Sequence, residues 1–316
     1  MYGGAPAHIA RPARPRTVPD AASPGVPGPS PGYGFRGRPA HPTLTATTVI
    51  IVRSSGNSGA WPDLMAIIAP MRDSLGHDLV RDHTVYACVM GSRAFGLATQ
   101  DSGTDRRGVF VAPTALFWGF EKPPTHVTGP RDEQFSWELE RFCVLALRAN
   151  PNLLECLHSP IVERADATGR ELLDLRGAFL SRRADATFRG YAAQQLAKLE
   201  ADIRNRGEPR WKHAMHLLRL LLSCRDLLRA GRLTVDVGDH REELLAVRRG
   251  ERTWEEVRAW MRTLHEETDA AAAGSPLPAE PDRARVEDFL LRVRRASAAA
   301  AVGTGSAAVP EPARRP

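Results

Sequence analysis

Cysteine and lysine are scarce in this chain, and several signatures of catalysis are missing. The four cysteines, Cys88, Cys143, Cys156 and Cys224, form no CxxC pair and no metal-ligand spacing. That excludes a disulfide-framed scaffold and a zinc ribbon, and suits reduced thiols acting as small buried hydrophobes. The histidines show no HExxH spacing, and "GSRAFG" lacks the G-x-S-x-G elbow of a serine nucleophile. No apolar run is long enough to span a membrane, and the first residues carry no apolar signal region. The expectation is a soluble, cytoplasmic protein without a membrane partner.

Lysine occurs only at positions 122, 198 and 212, so the positive charge is carried by arginine. The net charge of +6 is also unevenly placed. Residues 1–60 hold six arginines and one aspartate, and residues 298–316 hold two arginines and one glutamate, which leaves 61–297 neutral. Charge alone therefore points to no nucleic-acid surface.

The chain divides by composition. Residues 1–60 are rich in proline, glycine and alanine and are expected to be disordered, although "TVIIV" (48–52) has strand character. Residues 61–165 have the mixed pattern of an α/β head. A helix over about 62–75 leads to the apolar, β-branched "TVYACVM" (84–90), a buried strand. A glycine-bounded turn follows, and then a second strand in "RRGVFVAP", ended by Pro113. "EQFSWELERFCVLALRAN" opens extended and turns helical, and Asn150-Pro151 stops that helix and caps the next. Residues 166–297 are mostly helical, with Gly207 and Gly231 as C-terminal stops, and 298–316 form a low-complexity tail. The fold class is α+β, a small mixed sheet followed by a helical body.

The chemistry-bearing stretch is "VMGSRAFGLATQDSGTDRRGVFV" (89–111). Gly91-Ser92, directly after a buried strand, offers open backbone N–H groups and a hydroxyl, the means by which tight turns hold anions. Arg93 follows them and is a further candidate contact to nucleotide phosphate. Downstream comes Asp105 at the start of the second strand. Acids spaced D-x-D on a strand face one side and can share metal ions about 3.5–4 Å apart. Oxygen-rich sites of this kind suit Mg²⁺ or Mn²⁺.

These residues resemble the predicted nucleotidyltransferases of the DNA-polymerase-β-like superfamily, in the bacterial branch associated with RNA repair. The resemblance rests on "GSRAFGLAT", "DSGTDRRGV", "EQFSWELERFCVLALRANPNLLECLHSP" and "EPRWKHAMHLLRLLLSCRDLLRAGRL", and covers about 82–295. It implies a polymerase-β-like head, Gly91 and Ser92 on a triphosphate, and acids at 103 and 105 on metal. Here the pair is Gly103 and Asp105. Asp101 lies four residues from Asp105, roughly 13 Å along an extended strand against about 7 Å for two residues, so only a bend would bring it in. A third carboxylate is expected from "DEQFSWEL": Glu133 first, with Asp132 and Glu138 behind it.

On the helix from 212, Lys212, His216, Arg219, Ser223 and Asp226 fall in one stripe. The family has a similar K-x-x-x-H-x-x-R run, which implies nucleotide-phosphate contacts for Lys212, His216 and Arg219; the plain alternative is the solvated face of an amphipathic helix. Arg106 and Arg107 could contact phosphate but read first as surface ion pairs, and Trp118, Trp137 and Trp211 could stack on a base but read first as packing residues. The resemblance implies transfer of a nucleoside monophosphate from a triphosphate to an acceptor hydroxyl, with RNA as acceptor. Two other classes stay open: a nucleotide- or RNA-binding protein silenced by Gly103, and a docking partner for an RNA-processing protein.

Overall fold

The structure, a computed structural model, describes residues 64–304. The readings of 1–60, "TVIIV" and 305–316 lie outside the described residues. In chain order the elements are α1 (Leu64–His83), β1 (Thr84–Met90), α2 (Gly91–Ala94), β2 (Asp105–Phe110), β3 (His126–Thr128), β4 (Gln134–Glu138), α3 (Leu139–Leu147), α4 (Pro151–Leu157) and β5 (Ile161–Ala165). Then come α5 (Ala167–Asp174), α6 (Arg183–Arg206), α7 (Trp211–Ala230), α8 (Arg241–Arg248), α9 (Trp254–Ala273) and α10 (Arg283–Thr304). This is a mixed α+β architecture with a helical C-terminal region.

The sheet has five strands in the order β3-β4-β2-β1-β5. β1 runs antiparallel to β2 and β5, β2 runs parallel to β4, and β3 pairs antiparallel with β4 at one edge. β1 is buried on both faces, which is why it reads as a continuous apolar run and not an alternation. On one face Leu79 and Val80 of α1 pack with Phe110, Ala112 and Val127. The larger core is continuous from Val85 and Tyr86 to Val286 and Phe289, and draws on strands and helices alike.

α1 runs to His83, eight residues beyond the expected end at 75. Gly76 lies inside it, with a Val127 γ-carbon 3.2 Å from where a Cβ would stand. α10 likewise continues past 297 to Thr304. Its alanine run, expected to begin a tail, extends the helix, as alanine's helix propensity favours.

Other boundaries match their chemistry. The Asn150 side chain accepts from the Asn152 N–H with Pro151 at the first helical position, and Gly207 and Gly231 close α6 and α7 with φ of 82° and 66°. β3 and β5 were not read from sequence. β3 is only three residues long, and "IVERA" is an exposed edge strand without a buried face to announce it.

Candidate active site

Strand register brings the site together. Met90 pairs with Asp105 at the end of β1, and Arg106 pairs with Gln134 at the start of β4. β1 is antiparallel to β2, and β2 is parallel to β4. The end of β1 and the starts of β2 and β4 therefore share one edge of the sheet. Gly91, Asp105 and Glu133, distant in sequence, meet there.

Two glycines accommodate the two carboxylates. At Gly91, whose φ is +67°, a Cβ would lie 1.8 Å from Asp105 Oδ2. Only a residue without a side chain lets the acid settle on the turn, and the left-handed φ favours glycine as well. At Gly103 a Cβ would fall 2.3 Å from Glu133 Oε2 and 2.7 Å from its Oε1. Asp101 is exposed in the turn before it, and among the described residues no group of three possible metal ligands is formed.

Glu133 is held firmly for an exposed residue. Its φ of +55° is a conformation that non-glycine residues rarely adopt, at a cost of about 1–2 kcal/mol. The Thr104 N–H donates to its Oε2 at 2.8 Å, and its carbonyl accepts from the Arg106 N–H at 3.0 Å and from Arg107 Nη1 at 3.1 Å. The Arg107 Nη2 stands 3.6 Å from Asp105 Oδ1. The expectation of a surface ion pair at Arg107 is therefore corrected: this guanidinium is buried and braces the starts of β2 and β4. Arg106 does form the expected pair, with Glu163 at 3.2 Å.

Arg93 clamps the loop. Its Nε donates to the Gly103 carbonyl at 3.0 Å and its Nη2 to the Ser102 carbonyl at 3.1 Å, while the Thr99 N–H donates to Ser102 Oγ at 2.8 Å. Ser92 is half-buried in the first turn of α2, beside Gly91. Of the other acids considered, Asp132 is exposed in the loop before β4, whereas Glu138 is buried, caps α3 and pairs with Arg294 at 2.8 Å. Burial raises the Glu138 carboxyl's pKa, opposed by Arg294.

The stripe on α7 reaches Phe95, whose N–H donates to the Gly91 carbonyl at 3.0 Å. Arg219 is buried against Glu155 at 2.6 Å, and its guanidinium lies 3.8 Å over the Phe95 ring. Its charge is already neutralised. His216 is pushed down to about 3, first by burial and then by the Arg219 and Lys212 charges, so its imidazole is neutral at physiological pH. Lys212 is exposed near the start of the helix. Asp226 accepts from Arg225, and Ser223 is buried. The middle of the stripe is thus a packing seam against α4 and the residue that follows α2, not a solvated face. Beside it a cavity of about 300 Å³ opens, lined by Arg219, Asp226, Arg229, Arg232, Asp236 and His240 among others; none of Gly91, Ser92, Asp105 or Glu133 lines it.

All four cysteines are buried, as expected of small hydrophobes. Trp137 packs against Phe135 and Phe142, but Trp118 is 67% exposed, which corrects its reading as a packing residue. Phe120, which sequence reading passed over, is fully exposed close by.

A family model described as the RNA repair pathway DNA polymerase beta family matches residues 69–292. The chain belongs to this family. The match takes in the sheet, the Gly91 turn and most of the helical region of this RNA repair pathway polymerase beta relative. An uncharacterized protein of Bacillus subtilis, YcgL, is 31% identical over 144 residues, which is 44% of this chain. The chain spans about half of that relative's length, 54%. No solved structure matches. Among the described residues no helix is long and apolar enough to cross a membrane.

Proposed function

We propose that the sheet and its Gly91 turn form a polymerase-β-like nucleotidyltransferase head. In this reading it transfers a nucleoside monophosphate from a triphosphate to a hydroxyl on RNA, with Mg²⁺ or Mn²⁺ as cofactor. The carrying observation is the meeting of the Gly91 turn, Asp105 and Glu133 at one sheet edge. Family membership adds the RNA-repair setting.

The donor set fits a hard divalent cation. Two carboxylates stand over glycines that leave room for them, and the Ser92 hydroxyl is close in sequence to Gly91. Among the described residues no group of three or more acidic, histidine or cysteine side chains is arranged to hold a metal ion. Asp105 and Glu133 are the residues that would hold the metal. When bound, such ions lower the pKa of an attacking hydroxyl and neutralise a departing pyrophosphate.

The protein's own part is positioning. The turn at Gly91-Ser92 receives the triphosphate through backbone N–H groups and the Ser92 hydroxyl. Arg93 acts through the loop it clamps, and Arg107 fixes Asp105. Arg219 is paired with Glu155 and His216 is neutral, so both serve first to hold the helices against the turn.

The test is transfer of labelled nucleotide from each triphosphate onto an RNA pool with Mg²⁺ or Mn²⁺, comparing the protein with Asp105→Asn. Label transferred by the protein and not by the variant supports the reading. Triphosphate bound without transfer by either supports the second reading, a silent binder on the same fold, for which Gly103 is the observation in favour.

A further inference from the structure

We infer that the cavity beside α7 is a seat for one phosphate group of the acceptor strand, built apart from the triphosphate turn. This rests on the nucleotidyltransferase reading for the identity of the strand; the donors that line the cavity do not depend on it. The cavity, about 300 Å³, lies between the face of α7 from Arg219 onward and the segment 232–240 that follows the helix. What faces it is a surplus of donors. Arg219 is 7% exposed; its Nη1 donates to Glu155, while its Nε is buried without a hydrogen-bond partner. The side chains of Ser223, Arg229, Arg232 and Thr234 line the same space and form no hydrogen bond or ion pair with another described residue. The two carboxylates in the wall are already engaged: Asp226 accepts from Arg225 Nε and Asp236 from the Gly238 N–H, both at 2.8 Å.

Guanidinium groups donate and cannot accept, and a buried donor calls for an acceptor. Guanidinium forks with hydroxyls beside them match the oxygens of a phosphate. Place then decides which phosphate. None of Gly91, Ser92, Asp105 or Glu133 lines the cavity, so a triphosphate on the turn does not fill it. Phe95 joins the two sites. The Arg219 guanidinium lies over its ring, its carbonyl accepts from the N–H of Val237 in the cavity wall at 3.1 Å, and its own N–H donates to the Gly91 carbonyl. A strand that brings its hydroxyl to the sheet edge can therefore rest a phosphate one residue layer away, on α7.

The experiment is fluorescence anisotropy of a labelled single-stranded RNA of mixed sequence, titrated with the full chain over a range of salt, with circular dichroism as a check on folding. The set is wild type, Arg229→Gln/Arg232→Gln, Ser223→Leu, which fills the cavity without changing charge, and the control Arg204→Gln/Arg206→Gln. The control removes the same charge from exposed arginines at the far end of α7, where α6 runs into it. The Arg229/Arg232 variant should bind RNA about tenfold more weakly, with a salt slope shallower by about 0.7, the share of one phosphate on a single strand. Ser223→Leu should also weaken binding, and the control should bind as wild type does. Mg²⁺–nucleoside triphosphate affinity should be the same throughout; its loss in the Arg229/Arg232 variant with RNA affinity unchanged would give the cavity to free nucleotide and overturn the assignment. Equal losses in the two arginine variants, an unchanged Arg229/Arg232 variant, or no RNA binding by wild type would overturn it as well. If Ser223→Leu fails to fold, the arginine variants decide. RNA binding that follows the expected pattern without transfer of label would reject nucleotidyl transfer and keep the cavity. Transfer of label by a protein whose Arg229/Arg232 variant binds RNA as wild type does would do the reverse.

Discussion

Two pairs of acids lie in this molecule under opposite regimes. Glu155 and Glu138 are buried and each faces an arginine from a distant helix, Arg219 at 2.6 Å and Arg294 at 2.8 Å. Asp105 and Glu133 stand at the sheet edge over glycines, with Asp105 a third exposed and its nearest cation 3.6 Å away. Side-chain type does not separate the pairs; partner and solvent do. A carboxylate enclosed with a guanidinium has its charge balanced and serves cohesion. One left partly open, on backbone braced from below, can take up a cation.

The comparison breaks first, and hardest, at the enclosed pair. Arg219→Ala leaves Glu155 buried and unpaired, and should cost about 3–5 kcal/mol of stability, seen as a large fall in the urea midpoint. Replacing both partners with apolar residues of similar volume should recover much of that loss. Arg294→Ala should cost somewhat less, on the order of 2–4 kcal/mol, because Arg294 retains some exposure and Glu138 keeps its bond from the Glu140 N–H.

His216 tests the seam through pH. Its folded value of about 3 lies below the 6.5 of a free imidazole. As pH falls through about 6.5 the unfolded chain takes up a proton that the folded chain refuses. The contribution is therefore fully present above that pH and is lost progressively toward pH 3, at about 1.4 kcal/mol per unit of difference. Chemical denaturation at pH 7 and pH 5 should show this slope in the protein and a shallower one in His216→Gln. The smallest stability effect belongs to Asp105→Asn, within about 1 kcal/mol, read as a melting temperature close to the parent's.

Much of the frame was legible in the sequence because its signals are local. The run "TVYACVM", the glycines closing α6 and α7, and the Asn150-Pro151 cap each act within a few residues. The turn at Gly91 and the strand that starts at Asp105 were readable for the same reason: they form one continuous stretch. What stayed hidden depends on distant partners. Arg219 on an amphipathic stripe looks the same whether it meets solvent, a phosphate or Glu155, 64 residues away. Arg107 looked like a surface cation until β4 was placed against β2. Glu133 was named as a candidate, but its seat above Gly103 follows from parallel strand register, which no spacing in the sequence displays.

The central question is whether the open pair serves triphosphate chemistry. Its most direct test is pyrophosphate release from a Mg²⁺–nucleoside triphosphate with an RNA pool as acceptor, measured for the protein and for Asp105→Asn alongside their melting temperatures. The expected result is release by the protein and a fall of at least about a hundredfold in the variant, a loss typical for one group that stabilises developing charge, with little change in melting. Equal release by both, or no release from a protein that binds the triphosphate, would contradict it.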